Sequence, residues 1–417
     1  MPYLLCMQSP GLAPDALRQV VIVLCTTQIV SWGTLFYTLP VLAPTIADDT
    51  GWSLTLVVAA FTGSQLFAAA GSVLVGRRIN ARGPRVVMST GALVGTLGLV
   101  GVATAPTLGL FVAAWAVVGS AMSAVLYPPA FAALTEWGGE RRVRALTVLT
   151  LVAGFASTVF APLAGYLVEP LGWRNTYLVM ASILLTTSPL LWVTLHHPWH
   201  DRRSTVAADA AAGAESRDRT SRSPEFVRVV SSMSLVGFSQ WAAVFLLVPL
   251  LVARGLSTEA AAVALGVGGV GQVCGRLAYA RIERVTSVTA RTQAVFGSVV
   301  VTTLALAAIP GPDVLLFVLA FTAGVARGIF TLVTATAVTD RWGTASYASL
   351  NGIVSAALLL AGAVAPWVGT AVARASDSYP LVFWLLAAVA ATAMVVLPRQ
   401  PAQDLHTSPT RSDDEGP

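Results

Sequence analysis

Long apolar runs alternate with short polar breaks from Gln19 to Leu397. Twelve runs reach about 18 residues or more, enough for a helix to cross a hydrocarbon layer while satisfying its own backbone bonds. They cover 19–44, 54–75, 86–105, 108–134, 145–168, 175–195, 227–252, 259–280, 290–309, 313–338, 347–372 and 380–397. The pattern predicts an all-α integral membrane protein with twelve transmembrane helices. The first run is too long for a cleaved signal and lacks a basic flank and a clear small-residue cleavage site.

Composition agrees, because 55% of residues are hydrophobic and only 11% charged, about half the charged share of a soluble domain. A net charge of +5 would suit nucleic acid, but every basic residue is Arg and the arginines sort by membrane side. No nucleic-acid partner is expected. With both termini inside, 21 of the 25 Arg fall on the cytoplasmic side, three outside (Arg174, Arg254, Arg374) and one, Arg327, within a span. This asymmetry predicts a multi-pass protein of the cytoplasmic (inner) membrane with both termini cytoplasmic. Cys6, Cys25 and Cys274 are scattered and read as small hydrophobes, with no disulfide framework or metal spacing.

Helix 1 carries Trp32, Phe36 and Pro40, and helix 7 carries Trp241, Phe245 and Pro249, at an offset of 209 residues. Thr135-Glu-Trp137-Gly138 corresponds to Asp340-Arg-Trp342-Gly343 at 205, and Ala161-Pro-Leu-Ala-Gly165 to Ala365-Pro-Trp-Val-Gly369 at 204. Matches in one order at nearly one offset imply two six-helix pseudo-repeats. The expected division is 1–195 for the first half, 196–226 for a disordered cytoplasmic linker, 227–397 for the second half and 398–417 for a disordered tail.

Parallel duplication of six helices is the arrangement of major facilitator transporters. The loop Gly76-Arg-Arg-Ile-Asn80-Ala81-Arg-Gly83-Pro84-Arg85 resembles that superfamily's Gly-x-x-x-Asp-Arg-x-Gly-Arg-Lys/Arg loop. Asn80 and Ala81 replace the usual Asp and Arg, which weakens the implied charge latch, while Gly76, Gly83 and Arg85 remain. Trp137-Gly-Gly-Glu-Arg141-Arg142-Val-Arg144-Ala145, Pro162 and Gly172-Trp-Arg174 resemble the monocarboxylate-transporter-like branch and its bacterial relatives. That branch places a Lys in helix 1 and an Asp–Arg pair within helix 8. Here helix 1 has no cation and helix 8 has only Arg276, read as lying at its cytoplasmic end. The resemblance implies the major facilitator fold and no enzymatic activity.

Arg327 is the first candidate contact for a ligand. A central Arg costs roughly 2.5–3.5 kcal/mol on an insertion scale, and its guanidinium suits a carboxylate or oxyanion. Its repeat counterpart is Met122, so common packing does not require the charge. The competing reading is a structural Arg bonded to a broken-helix carbonyl. Trp32, Tyr37 and Gln28 on helix 1, Trp241 and Gln240 on helix 7, Tyr127 on helix 4 and Asn351 on helix 11 are the further candidate substrate contacts. Core packing is the alternative for the aromatics. Pro40 and Pro249, with Gly76, Asn80, Gly83 and Arg85, are the candidate gating positions.

The acidic residues within the predicted spans, Glu259 and Asp313, sit only at their outer ends, and all four His lie in the linker or tail. A proton partner would therefore ride on a weak-acid substrate or use a helix-end carboxylate such as Asp48, Asp49 or Asp313. Gly266-Val-Gly268-Gly-Val-Gly271 resembles a dinucleotide fingerprint but lies in an apolar helix, where close helix packing is the better account. His196-His-Pro-Trp-His200 reads as an interfacial anchor. No Walker-type loop is present, and neither cofactor nor metal is expected. The leading expectation is a monomeric secondary transporter of a small organic anion or weak acid. An efflux carrier for a neutral or hydrophobic toxic compound is the alternative. A membrane sensor is disfavoured because a linker of about 30 residues is too short for a usual output domain.

Overall fold

A computed structural model describes residues 11–199, 220–342 and 347–398. Eleven segments are long and apolar enough to cross a membrane. The longest, Gly139–Thr194, has 56 residues and turns sharply at Gly172, whose φ of 72° leaves helical space. Counting its two legs separately gives the twelve predicted crossings. They are α1 (Pro14–Thr50), α2 (Leu54–Arg82), α3 (Pro84–Thr104), α4 (Leu108–Trp137), α5 (142–171) and α6 (173–194), followed by α7 (Pro224–Ala253), α8 (Thr258–Val285), α9 (Val288–Ala308), α10 (Asp313–Thr336), α11 (Tyr347–Ser376) and α12 (Tyr379–Val396). Twelve crossings return the chain to the side where it began, here called the terminal side; the other is the distal side.

Several helices outrun their apolar windows, since the last turns can reach past the hydrocarbon into the polar boundary layer. The stretch Gly76–Arg85, expected as a loop, is helical through Arg82; the turn falls on Gly83, at φ 79°. Likewise α8 continues to Val285, five residues past its predicted end. Large apolar side chains such as Leu97 and Val301 are exposed, as lipid-facing positions are.

Small residues set the closest helix approaches. A Cβ on Gly119 of α4 would lie 2.0 Å from the Ser64 carbonyl oxygen of α2, and one on Gly324 of α10 would lie 2.0 Å from that of Gly268 on α8. The glycine run of α8 fills both of its faces: Gly268 and Gly271 abut the α10 backbone, while Gly266 and Gly269 abut α5 at Pro162 and Thr158. Across that seam the Thr158 hydroxyl donates to the Gly266 carbonyl at 2.9 Å. Helix packing, and no nucleotide, accounts for these glycines.

The distal halves of α1 and α7 are packed most tightly, with residues 33–43 and 244–251 buried throughout. Phe36 of α1 meets Trp241 of α7 at 5.2 Å and Phe61 of α2 at 5.1 Å, and Phe61 meets Phe245 at 5.5 Å. The aromatics repeated in the sequence therefore face one another between the helices they mark.

Of the expected linker, residues 200–219 lie outside the described residues, as do 399–417 of the expected tail. Residues 196–199 are held against the first six helices. The Trp137 indole donates to the Pro198 carbonyl at 2.8 Å, the Trp199 indole to that of Asn80 at 3.3 Å, and a Cβ on Gly83 would meet the Trp199 ring. Apolar indole burial explains why this short piece is anchored. His200 itself lies outside the described residues.

Candidate functional site

Helix breaks build the centre of the molecule. In α1 the segment Gly33–Tyr37 is π-helical, just before Pro40, whose ring clashes with the carbonyl four residues back and frees its hydrogen bond. Thr38 restores one partner by donating to the Gly33 carbonyl at 3.0 Å. Pro249, its repeat counterpart, sits in an uninterrupted α7. In α4 the chain is extended at Leu126, and helix resumes at Tyr127-Pro128-Pro129, as expected where Pro lacks a donor at a first turn. In α5 regularity fails at Gly154 and Phe155.

These breaks expose carbonyls, and side chains answer them. Gln28 of α1 donates from Nε2 to the Val125 carbonyl at 2.6 Å, leaving its Oε1 without a partner. Arg276 of α8 donates from Nη1 to the Thr150 carbonyl of α5. A Cβ at Gly154 would come within 3.2 Å of that same Nη1, so the break leaves room for the guanidinium.

Arg276 corrects the expectation from sequence. It is buried, with 7% of its surface exposed, and lies about 13 Å inside the end of α8 at 1.5 Å per residue. The apolar window ended close to Arg276, but the helix runs on, and contact with α5 buries the side chain. Its neighbour one turn earlier, Gln272, is neutral and also buried. The Tyr127 hydroxyl lies against the Arg276 guanidinium.

Arg327 stands about 21 Å along α10 from Asp313 and is 9% exposed. Among the described residues no hydrogen bond leaves its side chain, and Nε and Nη2 are sealed from solvent without an acceptor. It is close enough to Arg276 for the two charges to repel, and the Tyr37 phenol lies within the same field. The surroundings of these groups are aromatic: Trp32 packs at 5.2 Å on Tyr127 and 5.5 Å on Phe36, Phe36 on Tyr37 at 5.3 Å, and Tyr127 stacks on Phe131 at 5.2 Å. The Trp32 indole nitrogen lacks a partner.

The structure thus gathers Trp32, Tyr37, Tyr127, Trp241 and Arg327 around one region and adds Arg276, Phe36 and Phe61. Gln240 lines a separate cavity with Arg327 inside the second set of six helices. Asn351 is partly buried on α11 and is not joined to this group by any described hydrogen bond. Gly76, Asn80, Gly83 and Arg85 lie apart, at the terminal side. Gly76 has open space at its Cβ position, whereas Arg85 donates to the Trp192 carbonyl at 2.8 Å and lies 4.2 Å over the Trp192 ring. Among the described residues the carboxylates sit at or near helix ends. Asp49 accepts from Trp173 and Arg174, and Asp340 pairs with Arg291 at 2.6 Å. Three or more metal-ligating side chains do not cluster among the described residues.

Relatives agree with this architecture. Monocarboxylate transporter 11 of Mus musculus is 28% identical over 238 residues, 56% of this chain and 50% of that protein. Monocarboxylate transporter 13 of Rattus norvegicus is 25% identical over 269 residues, 63% of this chain and 60% of that protein. The matches thus span about half the length of the first of these relatives and somewhat more of the second. Among solved structures, the nucleoside transporter NupG (D323A mutant) superposes with a TM-score of 0.74 at 14% identity, covering 92% of this chain and 98% of that one. A bacterial homolog of the human lysosomal transporter Spinster, inward-facing and unoccupied, gives 0.69 at 14% identity, covering 92% and 95%. At such identity these two show the fold alone. The Major Facilitator Superfamily model matches residues 24–313, more than half of the chain, which together with the twelve-helix fold establishes that this protein belongs to the Major Facilitator Superfamily and resembles its monocarboxylate-transporter branch.

Proposed function

We propose that this transporter moves a small organic anion or weak acid across the cytoplasmic membrane by alternating access of a site between its two six-helix halves. The observation that carries this reading is the pair of buried guanidinia, Arg276 and Arg327, which repel each other while the described carboxylates sit at or near helix ends. A bound carboxylate offsets both charges at once, and charge-assisted hydrogen bonds are the stronger kind. Arg276 is the direct contact in this reading. On binding it exchanges the Thr150 carbonyl, an acceptor from the other half, for the substrate anion, so occupancy loosens one tie between α5 and α8. Tyr127 and Tyr37 supply phenol hydroxyls, and Trp32, Phe36 and Trp241 supply an apolar wall for the rest of a small ligand. Arg327 contributes positive potential from α10. A weak acid carries its own proton through such a site, which suits spans whose carboxylates are confined to their ends. The relatives named for monocarboxylate transport support the same substrate class.

The test is uptake and efflux of labelled monocarboxylates in proteoliposomes. Arg276→Gln should lower kcat/KM about 100-fold, equivalent to about 3 kcal/mol of lost anion contact, and Arg276→Lys should restore part of it. Transport of a neutral lipophilic compound at normal rate by Arg276→Gln, with no monocarboxylate transport by the parent protein, would favour the efflux carrier instead.

A further inference from the structure

The terminal half of α4 stands apart from the rest of its helix. At Leu126 the backbone is extended, with φ −80° and ψ −165°, and helix resumes as Tyr127–Trp137. Pro128 and Pro129 have no N–H to donate to the Ala124 and Val125 carbonyls four residues back, and the Val125 carbonyl accepts instead from Gln28 Nε2 of α1 at 2.6 Å. The backbone ladder is interrupted at one level, and a side chain from a neighbouring helix holds the joint. The repeat counterpart of Leu126 is Thr331, which lies inside an uninterrupted α10 and donates its hydroxyl to the Arg327 carbonyl of that helix at 2.9 Å.

One stripe of the short helix is open. Tyr127, Phe131 and Thr135, at spacings of four, are half-buried, whereas Ala130, Ala133 and Trp137 on another face are buried. Tyr127 lies against Arg276 of the other six-helix half, so the stripe borders the space between the halves. Residues 33–43 and 244–251 close that space distally, which leaves its opening on the terminal side, along this helix. At the far end the Trp137 carbonyl accepts from the Leu12 N–H at 2.9 Å, and its indole donates to the Pro198 carbonyl at 2.8 Å. Leu12 and Pro198 both lie outside helices and can travel with the segment.

We propose that Tyr127–Trp137 is a hinged gate, turning about Leu126 to cover the terminal opening between the halves, while α10 moves only with its own half. An intact helix curves gently, but missing ladder bonds concentrate a bend at one residue. Gln28 is the positioning residue that sets the hinge. The gate stands for an anionic and a neutral substrate alike.

Spin-label distances test it in bilayer nanodiscs, in a protein whose Cys6, Cys25 and Cys274 are replaced by alanine. One pair of labels, at Ala132 and Val86, lies in the first half; the other, at Thr334 and Gln293, lies in the second. Rigid halves would fix both distances. The gate gives the first pair two populations several Å apart in substrate-free protein, and the second pair one. Gln28→Leu should change the ratio of the two populations about fivefold, the worth of one net hydrogen bond. Pro128→Ala with Pro129→Ala restores both donors and should collapse the first pair to one population. A single narrow distribution for the first pair in the parent protein would overturn the proposal, and so would two populations that neither Gln28→Leu nor the proline variant alters. If the proline variant does not fold, the parent protein and Gln28→Leu decide. Saturating propionate should shift the first pair toward one of its populations. Two populations indifferent to propionate would count against the proposed anionic substrate and leave the gate standing.

Discussion

Met122 and Arg327 occupy the same place in the two halves, and their surroundings separate what the duplication shares from what it changed. Three residues before each stands a glycine, Gly119 or Gly324, pressed onto a carbonyl of the adjacent helix at the same 2.0 Å. That approach is common to both halves. Beyond it the chemistry diverges. In the first half Gln65 Nε2 donates to the Met122 sulfur at 3.6 Å, a neutral and satisfied pair. In the second half Arg327 Nε and Nη2 have no acceptor among the described residues, and the side chain borders a cavity. Duplicated packing thus supplies the frame, and one substitution within it turns a filled position into a candidate site.

Four substitutions probe this comparison. Gly119→Ala and Gly324→Ala should each cost about 3 kcal/mol, because the new Cβ would strike backbone that cannot move alone. Unfolding midpoints in detergent measure this, and a large difference between the two variants would break the equivalence. Arg327→Met gives the second half the residue of the first. It should stabilise the protein by about 1–2 kcal/mol, since removing a buried charge without a described acceptor is favourable. Thr158→Val removes the hydrogen bond from α5 to α8 at about 1 kcal/mol. It should shift the balance between conformations about fivefold away from the one described, read as spin-label distances across that seam.

The sequence disclosed the fold because transmembrane helices obey a local rule: each must be apolar for the thickness of the bilayer, whatever its partners. The internal duplication was equally readable from Trp32/Trp241 and Pro162/Pro366. Arg327 stood out for the same local reason. Arg276 did not, because its burial depends on Gly154, more than a hundred residues away, breaking α5 at the level where α8 brings the guanidinium. The break in α4 has a local signal, Tyr127-Pro-Pro, since two prolines in a row lack the donors that would continue the preceding helix. Gln240 was legible as a polar residue on helix 7, but its place in a cavity with Arg327 depends on how four helices meet, which periodicity does not encode.

The contact of Phe36, Phe61, Trp241 and Phe245 also bears on how membrane voltage reaches this protein. A layer of rings with no charge and little water is an electrical insulator, so the transmembrane potential falls largely across it. Each elementary charge carried over that drop costs or releases about 2.3 kcal/mol per 100 mV. Arg276, about 27 Å along α8 from its distal end, lies to the terminal side of Phe61 and Phe245, outside much of the drop. Binding an anion from that side is then nearly insensitive to voltage, and the electrical work of transport is concentrated in the step that opens the aromatic layer.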